Sequence, residues 1–260
     1  MKIVVLLSCM HQDKSIIQKS NIQTDVVVIN QCDEDVIERG TFVDKFGKSS
    51  NFIFVSTTER GLARSRNMAI SFAEGYDICL ISDDDELFAD GYEKTIIDAY
   101  VKRPQEDLIC FDFKGNKNHF TQECRMGFKM ICSSSSIQVS FKRDQIINNS
   151  IKFDVKMGSG TGNGPGEEIK FMMDCRRKRL NMYFVPIIIT ELLPGPSSWF
   201  KGRDAKYVRD AGWIAHRAMG TGLGLLYIHY HIARHYDRYK MNFSFIKLWY
   251  LINKGFWEKR

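Results

Sequence analysis

No stretch of the 260-residue sequence approaches the roughly 18 consecutive apolar residues that a membrane-crossing helix requires. The apolar run within Lys2 to Cys9 is too short for a secretory signal and reads as a first strand, so a cytoplasmic protein is expected. The seven cysteines contain no CxxC pair. That removes the common zinc and dithiol spacings and leaves reduced, mostly buried thiols as the reading. No internal repeat or low-complexity tract occurs, and no glycine-rich segment leads into GK[ST], so a P-loop is excluded.

What is present is an ordinary globular composition, 44% hydrophobic and 26% charged. The length suffices for a substantial core, as one domain or one domain with an appendage. The net charge of +6 is unevenly spread. Trp199 to Arg260 carry 12 Lys/Arg against 4 Asp/Glu, whereas residues 1–198 carry 25 against 27. All four tryptophans fall in the basic segment. A nearly neutral body is therefore followed by a basic, aromatic tail.

Strand and helix patterns alternate over the first hundred residues. Residues 2–8, 25–30 and 51–55 read as strands, with a short helix around 14–20. Residues 60–73 have helical spacing, with Leu62, Ala69 and Phe72 on one face and Gly75 as a stop. The apolar run Ile78 to Ile81 forms a fourth buried strand and ends in Asp83-Asp84-Asp85-Glu86. A helix over 89–103 stops at Pro104. This alternation predicts an α/β fold, a mostly parallel sheet with helices on both faces and ligands beyond the carboxyl ends of the strands. The acidic cluster sits at such an end. Adjacent like charges are costly unless solvent or a cation neutralises them, and hard oxygen ligands suit Mg²⁺ or Mn²⁺.

Beyond residue 106 the pattern changes. Residues 107–113, 127–132 and 137–141 read as strands with short connections, suggesting antiparallel additions. Residues 158–166 then place glycine at every second position, which reads as a mobile surface loop with a lid role as the alternative. Glu167-Glu168 opens a helix with Phe171, Met172 and Cys175 inward, and residues 182–193 are strand-like.

Three pieces belong together: a basic helix start (Arg60, Arg64, Arg66), the strand ending in Asp83-Asp84-Asp85, and the glycine loop leading to Glu167-Glu168. Cations stabilise charge on a departing diphosphate. A carboxylate across the reacting carbon could accept a proton from an incoming hydroxyl.

The ordered set resembles the GT-A glycosyltransferases of family 2, of the bacterial cell-envelope polysaccharide type. The matching elements are Gly61 with Ser65-Arg66-Asn67-Met68-Ala69, then Ile78 to Asp85, then Gly166-Glu167-Glu168-Ile169-Lys170-Phe171 and Tyr183-Phe184-Val185-Pro186. Ser197 to Gly202 resembles a further segment of such proteins. The resemblance covers about residues 1–200, with 1–106 as the nucleotide-sugar half and 107–200 as the acceptor half, followed by a helical appendage over 201–260. It implies a metal-assisted, inverting transfer from a nucleotide-diphosphate sugar, a UDP-sugar being expected, to a hydroxyl of a glycan or lipid-linked acceptor. Asp85 would be the principal ligand of Mn²⁺ or Mg²⁺, with Asp83 at the metal or ribose and Asp84 beside them. Glu168, or alternatively Glu167, would be the base, Arg66 would lie near the diphosphate with Arg60 and Arg64, and Asp33 or Asp35 near the nucleobase. The sequence departs from the family at Ser8-Cys9-Met10-His11, at Glu168 in place of Asp, and at Pro194-Gly195-Pro196, where related sequences carry a histidine. His216 is a third metal ligand only by default.

In the tail, aromatic residues interleave with Arg234, Arg238, Lys240, Lys247 and Lys254. Two readings stand: attachment to the inner face of the cell membrane through anionic lipid, or a helical appendage packed on the domain. The segment is too apolar for nucleic acid. Two other functions compete with transfer. A haloacid-dehalogenase-type phosphatase would want the acidic motif on its first strand, and a non-catalytic nucleotide-sugar scaffold would keep the fold without turnover.

Overall fold

The computed structural model describes residues 1–116, 120–193 and 202–260. The first half comprises β1 (Ile3–Met10), α1 (Ile16–Lys19), β2 (Asp25–Gln31), β3 (Val36–Val43), β4 (Ser49–Thr57), α2 (Leu62–Phe72), β5 (Ile78–Asp83), β6 (Glu86–Phe88) and α3 (Tyr92–Lys102). It is followed by β7 (Leu108–Lys114), β8 (Cys124–Arg125), α4 (Phe128–Ile131), β9 (Val139–Lys142), α5 (Arg143–Asn148), α6 (Glu167–Arg177) and β10 (Met182–Leu192). The chain then continues as α7 (Ala205–Met219), α8 (Thr221–His235) and α9 (Phe245–Phe256).

The strands form one mixed sheet in the order β3-β4-β2-β1-β5-β9-β7-β10-β6, with β8 beside β10. β1, β2, β4 and β5 pair in parallel, and so do β7 and β10. β9 runs antiparallel between β5 and β7. β7 and β10 therefore run with the first group, and the carboxyl ends of all these strands share one edge of the sheet.

Alternation along the central strands builds two cores. Ile3, Val5 and Leu7 of β1 face one side with Val26 and Val28, against Ile16, Tyr92, Ile96 and Tyr100 of the helices there. Val4 and Leu6 face the other side with Val27 and Ile29, against Ala69 and Ile70 of α2 and Phe171 and Met172 of α6. Each central strand is covered on both faces, which is why it reads as a continuous apolar run. All seven cysteines are free, and five of them are buried.

Two sequence expectations change. Residues 127–132 form the short helix α4, because Met130 and Ile131 turn inward from a single helical turn begun at Gly127. β3 went unrecognised because it is an edge strand, antiparallel to β4 and mostly exposed, with no buried face to impose alternation. The acidic cluster consequently ends the fifth strand, not the fourth.

The C-terminal helices make a third core from Val208, Ala215, Ile228, Ile232, Leu248, Ile252 and Phe256. Ala218 and Met219 at the end of α7 join the core beneath α2 and α6 instead. Among the described residues no helix is long and apolar enough to cross a membrane.

Candidate active site

The site is assembled around Arg66. Helix α2 lies with its first turn over the ends of β1 and β2, where Ser65 Oγ meets Ser8 Oγ at 2.8 Å and Gly61 N–H donates to Gln31 Oε1 at 2.6 Å. Packing Ala63, Ala69 and Ile70 inward carries Arg66, on the same face, to 1% exposure. Its Nη2 donates to both oxygens of Asp83 at 2.8 and 3.0 Å, and its Nη1 donates to Glu167 Oε1 at 2.8 Å. The guanidinium also lies 5.5 Å from the centre of the Phe153 ring. A buried cation between two carboxylates repays much of its desolvation through charge-assisted hydrogen bonds. Arg66 is therefore a clasp between β5 and α6, with its guanidinium hydrogen bonds directed to Asp83 and Glu167.

Asp83 ends β5 with a further contact from Ser136 Oγ to its Oδ2 at 3.2 Å. Its backbone N–H donates to Glu86 Oε1 at 2.7 Å. Glu86 is fully buried, and burial followed by the Asp83 charge raises it well above the usual carboxylate range. Asp84 is half-buried against Met10 and Gln12, and burial and then Asp83 raise it too. Asp85 is the most open of the three, raised by desolvation and by the charges of Asp83 and Asp84.

Among the described residues no three His, Cys, Asp or Glu side chains form a metal cluster. The residues present nonetheless fit Mg²⁺ or Mn²⁺ of the kind held by one or two carboxylates and completed by phosphate oxygens. Desolvation and then the Asp83 charge raise both Asp84 and Asp85, and a cation would relieve the repulsive part. Because Asp83 is committed to Arg66, Asp85 is the better placed donor.

Glu167 and Glu168 part company in the first turn of α6. Glu167 is buried with both oxygens engaged, one by Arg66 and the other by Gly166 N–H at 3.1 Å. Both of its oxygens are thus committed to contacts within the fold. Glu168 is half-buried and forms no ion pair with the described residues. Burial, and then the Glu167 charge beside it, push Glu168 up to about 8.

Of the alternating glycines all but Gly162 pack closely. Gly158 and Gly160 have φ of +92° and +87°, which disfavours other residues, and a Cβ on Gly160 would stand 3.3 Å from Gly61 Cα. Leu62 N–H donates to Ser159 O at 3.2 Å. The loop lies between the start of α2 and α7, a surface loop, with Ser159, Gly160 and Gly162 exposed, that is fastened at several points. Beyond it lies a cleft of about 450 Å³ lined by Ser159, Pro165, Lys206, Tyr207 and Asp210. A hollow of about 490 Å³ near β6 and β10 contains none of the candidate site residues.

The remaining sequence candidates form a shallower group beyond β2 and β4. Arg60 Nη2 donates to Asp33 Oδ1 at 2.7 Å, and Asp35 accepts from the Thr58 N–H and hydroxyl, both at 2.8 Å. Arg64 is exposed in the first turn of α2 and pairs with no described acid. His216 is structural: its Nδ1 is 2.7 Å from Phe256 O and its ring stacks on Phe256. Pro194 to Lys201, which include most of the Ser197–Gly202 element, lie outside the described residues. Sequence reasoning missed Gln31 and Ser136, since isolated polar residues carry no motif until the sheet brings them to Gly61 and Asp83.

A mixed sheet covered by helices, with this cluster at the carboxyl ends of its parallel strands, is the GT-A fold. Neither a family model nor a curated protein matches the sequence. In three dimensions the chain is similar to the crystal structure of S. aureus TarS residues 1–349, with a TM-score of 0.66 and 14% identity, over 98% of this chain and 80% of that one. It is also similar to that protein in complex with UDP, at a TM-score of 0.61, 15% identity and 94% and 76% coverage. The complex with UDP-GlcNAc gives 0.61, 16% identity and 93% and 73% coverage. At such identities the likeness carries the fold alone.

Proposed function

We propose that this protein is an inverting glycosyltransferase that moves a sugar from a nucleotide-diphosphate donor, a UDP-sugar, to a hydroxyl of a glycan or lipid-linked acceptor. One observation carries the reading. Arg66 ties the end of β5 to the start of α6, bringing the acidic cluster and Glu168 into one site at the ligand-binding edge of the sheet. UDP and UDP-GlcNAc in the similar TarS structures support a uridine nucleotide as donor.

In this mechanism Glu168 takes the proton from the acceptor hydroxyl as its oxygen bonds to the anomeric carbon. The bond from that carbon to the diphosphate oxygen breaks on the opposite face, and the nucleoside diphosphate leaves with the electron pair. A carboxylate raised to about 8 suits a base working near neutral pH. Mn²⁺ or Mg²⁺ held by Asp85, with Asp83 nearby, would neutralise charge on the leaving diphosphate. Arg64 supplies an exposed cation at the start of α2, and the cleft beside the glycine loop is the acceptor entrance.

The phosphatase reading is weakened because Asp83 is held by Arg66 and ends the fifth strand. Incubation with a panel of nucleotide-sugars and Mn²⁺ or Mg²⁺ tests the proposal. Release of nucleoside diphosphate supports transfer, release of inorganic phosphate supports the phosphatase, and binding without turnover supports a scaffold.

A further inference from the structure

Helices α8 and α9 have two faces with opposite characters. Inward, Ile228, Ile232, Leu248, Ile252 and Phe256 build the third core. Outward, Leu226 is 71% exposed, Tyr230 64% and Ile246 79%. Trp249 and Tyr250 are also exposed. The two outer faces meet, since the His229 and Trp249 rings lie 6.3 Å apart. Exposed apolar and aromatic side chains from both helices thus flank one junction, in contrast to singly scattered surface residues.

Its charge identifies the occupant. Neither α8 nor α9 contains an acidic residue, and from residue 211 to 257 six Lys/Arg accompany a single aspartate, Asp237. Lys254 Nζ lies 5.9 Å from the Tyr250 ring centre, and Lys247 stands next to Ile246, both cations bordering the apolar surface. A second copy of the chain would oppose these cations to one another. An anionic bilayer would receive the aromatic side chains at its headgroup boundary while the lysines meet lipid phosphates. We infer that the outer face of α8 and α9 is a docking surface for anionic membrane, with the chain lying on the bilayer without crossing it.

The experiment is flotation of the full chain with vesicles of phosphatidylcholine, alone or with phosphatidylglycerol, at low and high salt. Co-flotation with the anionic vesicles, lost at high salt, is expected. Lys247→Gln with Lys254→Gln should lower partitioning about 25-fold, about fivefold for each cation removed. Leu226→Ser with Ile246→Ser should abolish flotation while donor turnover in solution and the circular dichroism stay unchanged. Failure of the unaltered chain to float with anionic vesicles at low salt overturns the inference. So does equal partitioning of the lysine variant, or a concentration-dependent dimer that the Leu226/Ile246 variant abolishes without any vesicle binding. Turnover is read separately, so failure here leaves the proposed transfer reaction intact.

Discussion

Arg66 Nη1 and Glu167 Oε1 are 101 positions apart in sequence and 2.8 Å apart in the fold. The contact joins the half of the chain that carries the acidic cluster to the half that carries Glu168. Breaking it leaves buried carboxylates unpaired, which typically costs 3–5 kcal/mol, roughly. Arg66→Met keeps volume over Phe153 but removes the charge, and urea denaturation should register a loss of about that size. Arg66→Met combined with Glu167→Gln should recover part of it, because the unpaired charge goes too. Additive losses in this double-mutant cycle would mean that the two residues are not coupled.

That contact also marks where sequence reading stops. The buried strands and the ordered acidic and glycine elements were legible because each is a local pattern of apolar period or residue type. The role of Arg66 was not. Exposed Arg64 and buried Arg66 look alike in a string, and only the packing of Ala63, Ala69 and Ile70 decides which guanidinium goes inside. The pair Glu167 and Glu168 was read with Glu168 first and Glu167 as the alternative, and nothing in the string shows that Arg66 engages Glu167. Edge strand β3 and helix α4 were missed for a related reason, since a mostly exposed strand and a single turn impose too few buried positions to set a period.

Glu168 predicts opposite effects on rate and stability. As the base, it must be ionised, so turnover in the unaltered protein should climb with pH toward about 8. Its folded value lies above a glutamate's ordinary 4.5, so the folded state binds the proton more tightly. Stability should therefore fall between those two pH values and level off above them. Glu168→Gln should lose transfer by roughly 10²-fold or more while retaining donor binding. It should also unfold at higher temperature above pH 8, at about 2–4 °C for each kcal/mol recovered. A variant with near-normal rates would remove Glu168 from the chemistry.

Asp85 is the carboxylate of the cluster most open to solvent, and desolvation and its neighbours' charges disfavour its ionised form. Chelation with EDTA should abolish nucleoside diphosphate release, and Mn²⁺ or Mg²⁺ should restore it. Asp85→Ala should not be restored by either ion. The same substitution should also eliminate the thermal shift that Mn²⁺ produces with nucleoside diphosphate present, a readout independent of turnover. Retention of both responses would place the cation elsewhere.

Gly160 tests whether the glycine loop is a built wall of the site. Its φ of +87° costs an alanine roughly 1 kcal/mol or more, and the added methyl would crowd Gly61 Cα. Gly160→Ala should push the loop away from α2, raising the donor KM several-fold more than it lowers kcat. Gly162→Ala is the control, because its φ is similar but no atom lies within 4 Å of the added methyl. Equal effects from the two would mean that backbone strain, and not contact with α2, is responsible.

The tail packs on the domain and on itself through one face of its helices, as the appendage reading expects, and this leaves the opposite face exposed for the membrane contact proposed above. A Cβ on Gly255 would lie 1.9 Å from Arg209 O, and one on Gly212 would lie 2.0 Å from Ile252 O, so α7 and α9 cross with their backbones nearly touching. The apolar inner face is thus consumed by packing, and the outer face stays available. Gly255→Ala forces the helices apart in a core that overpacking typically penalises by about 1–3 kcal/mol or more. We expect early unfolding of α7 to α9, seen as lost amide protection over 205–257, with strands β1, β2 and β5 still protected. Donor binding at Asp85 should survive better than transfer, because α7 lines the cleft assigned to the acceptor while the acidic cluster is held from the sheet. Uniform loss of protection across the whole chain would instead mean that the tail and the sheet fold as one cooperative unit.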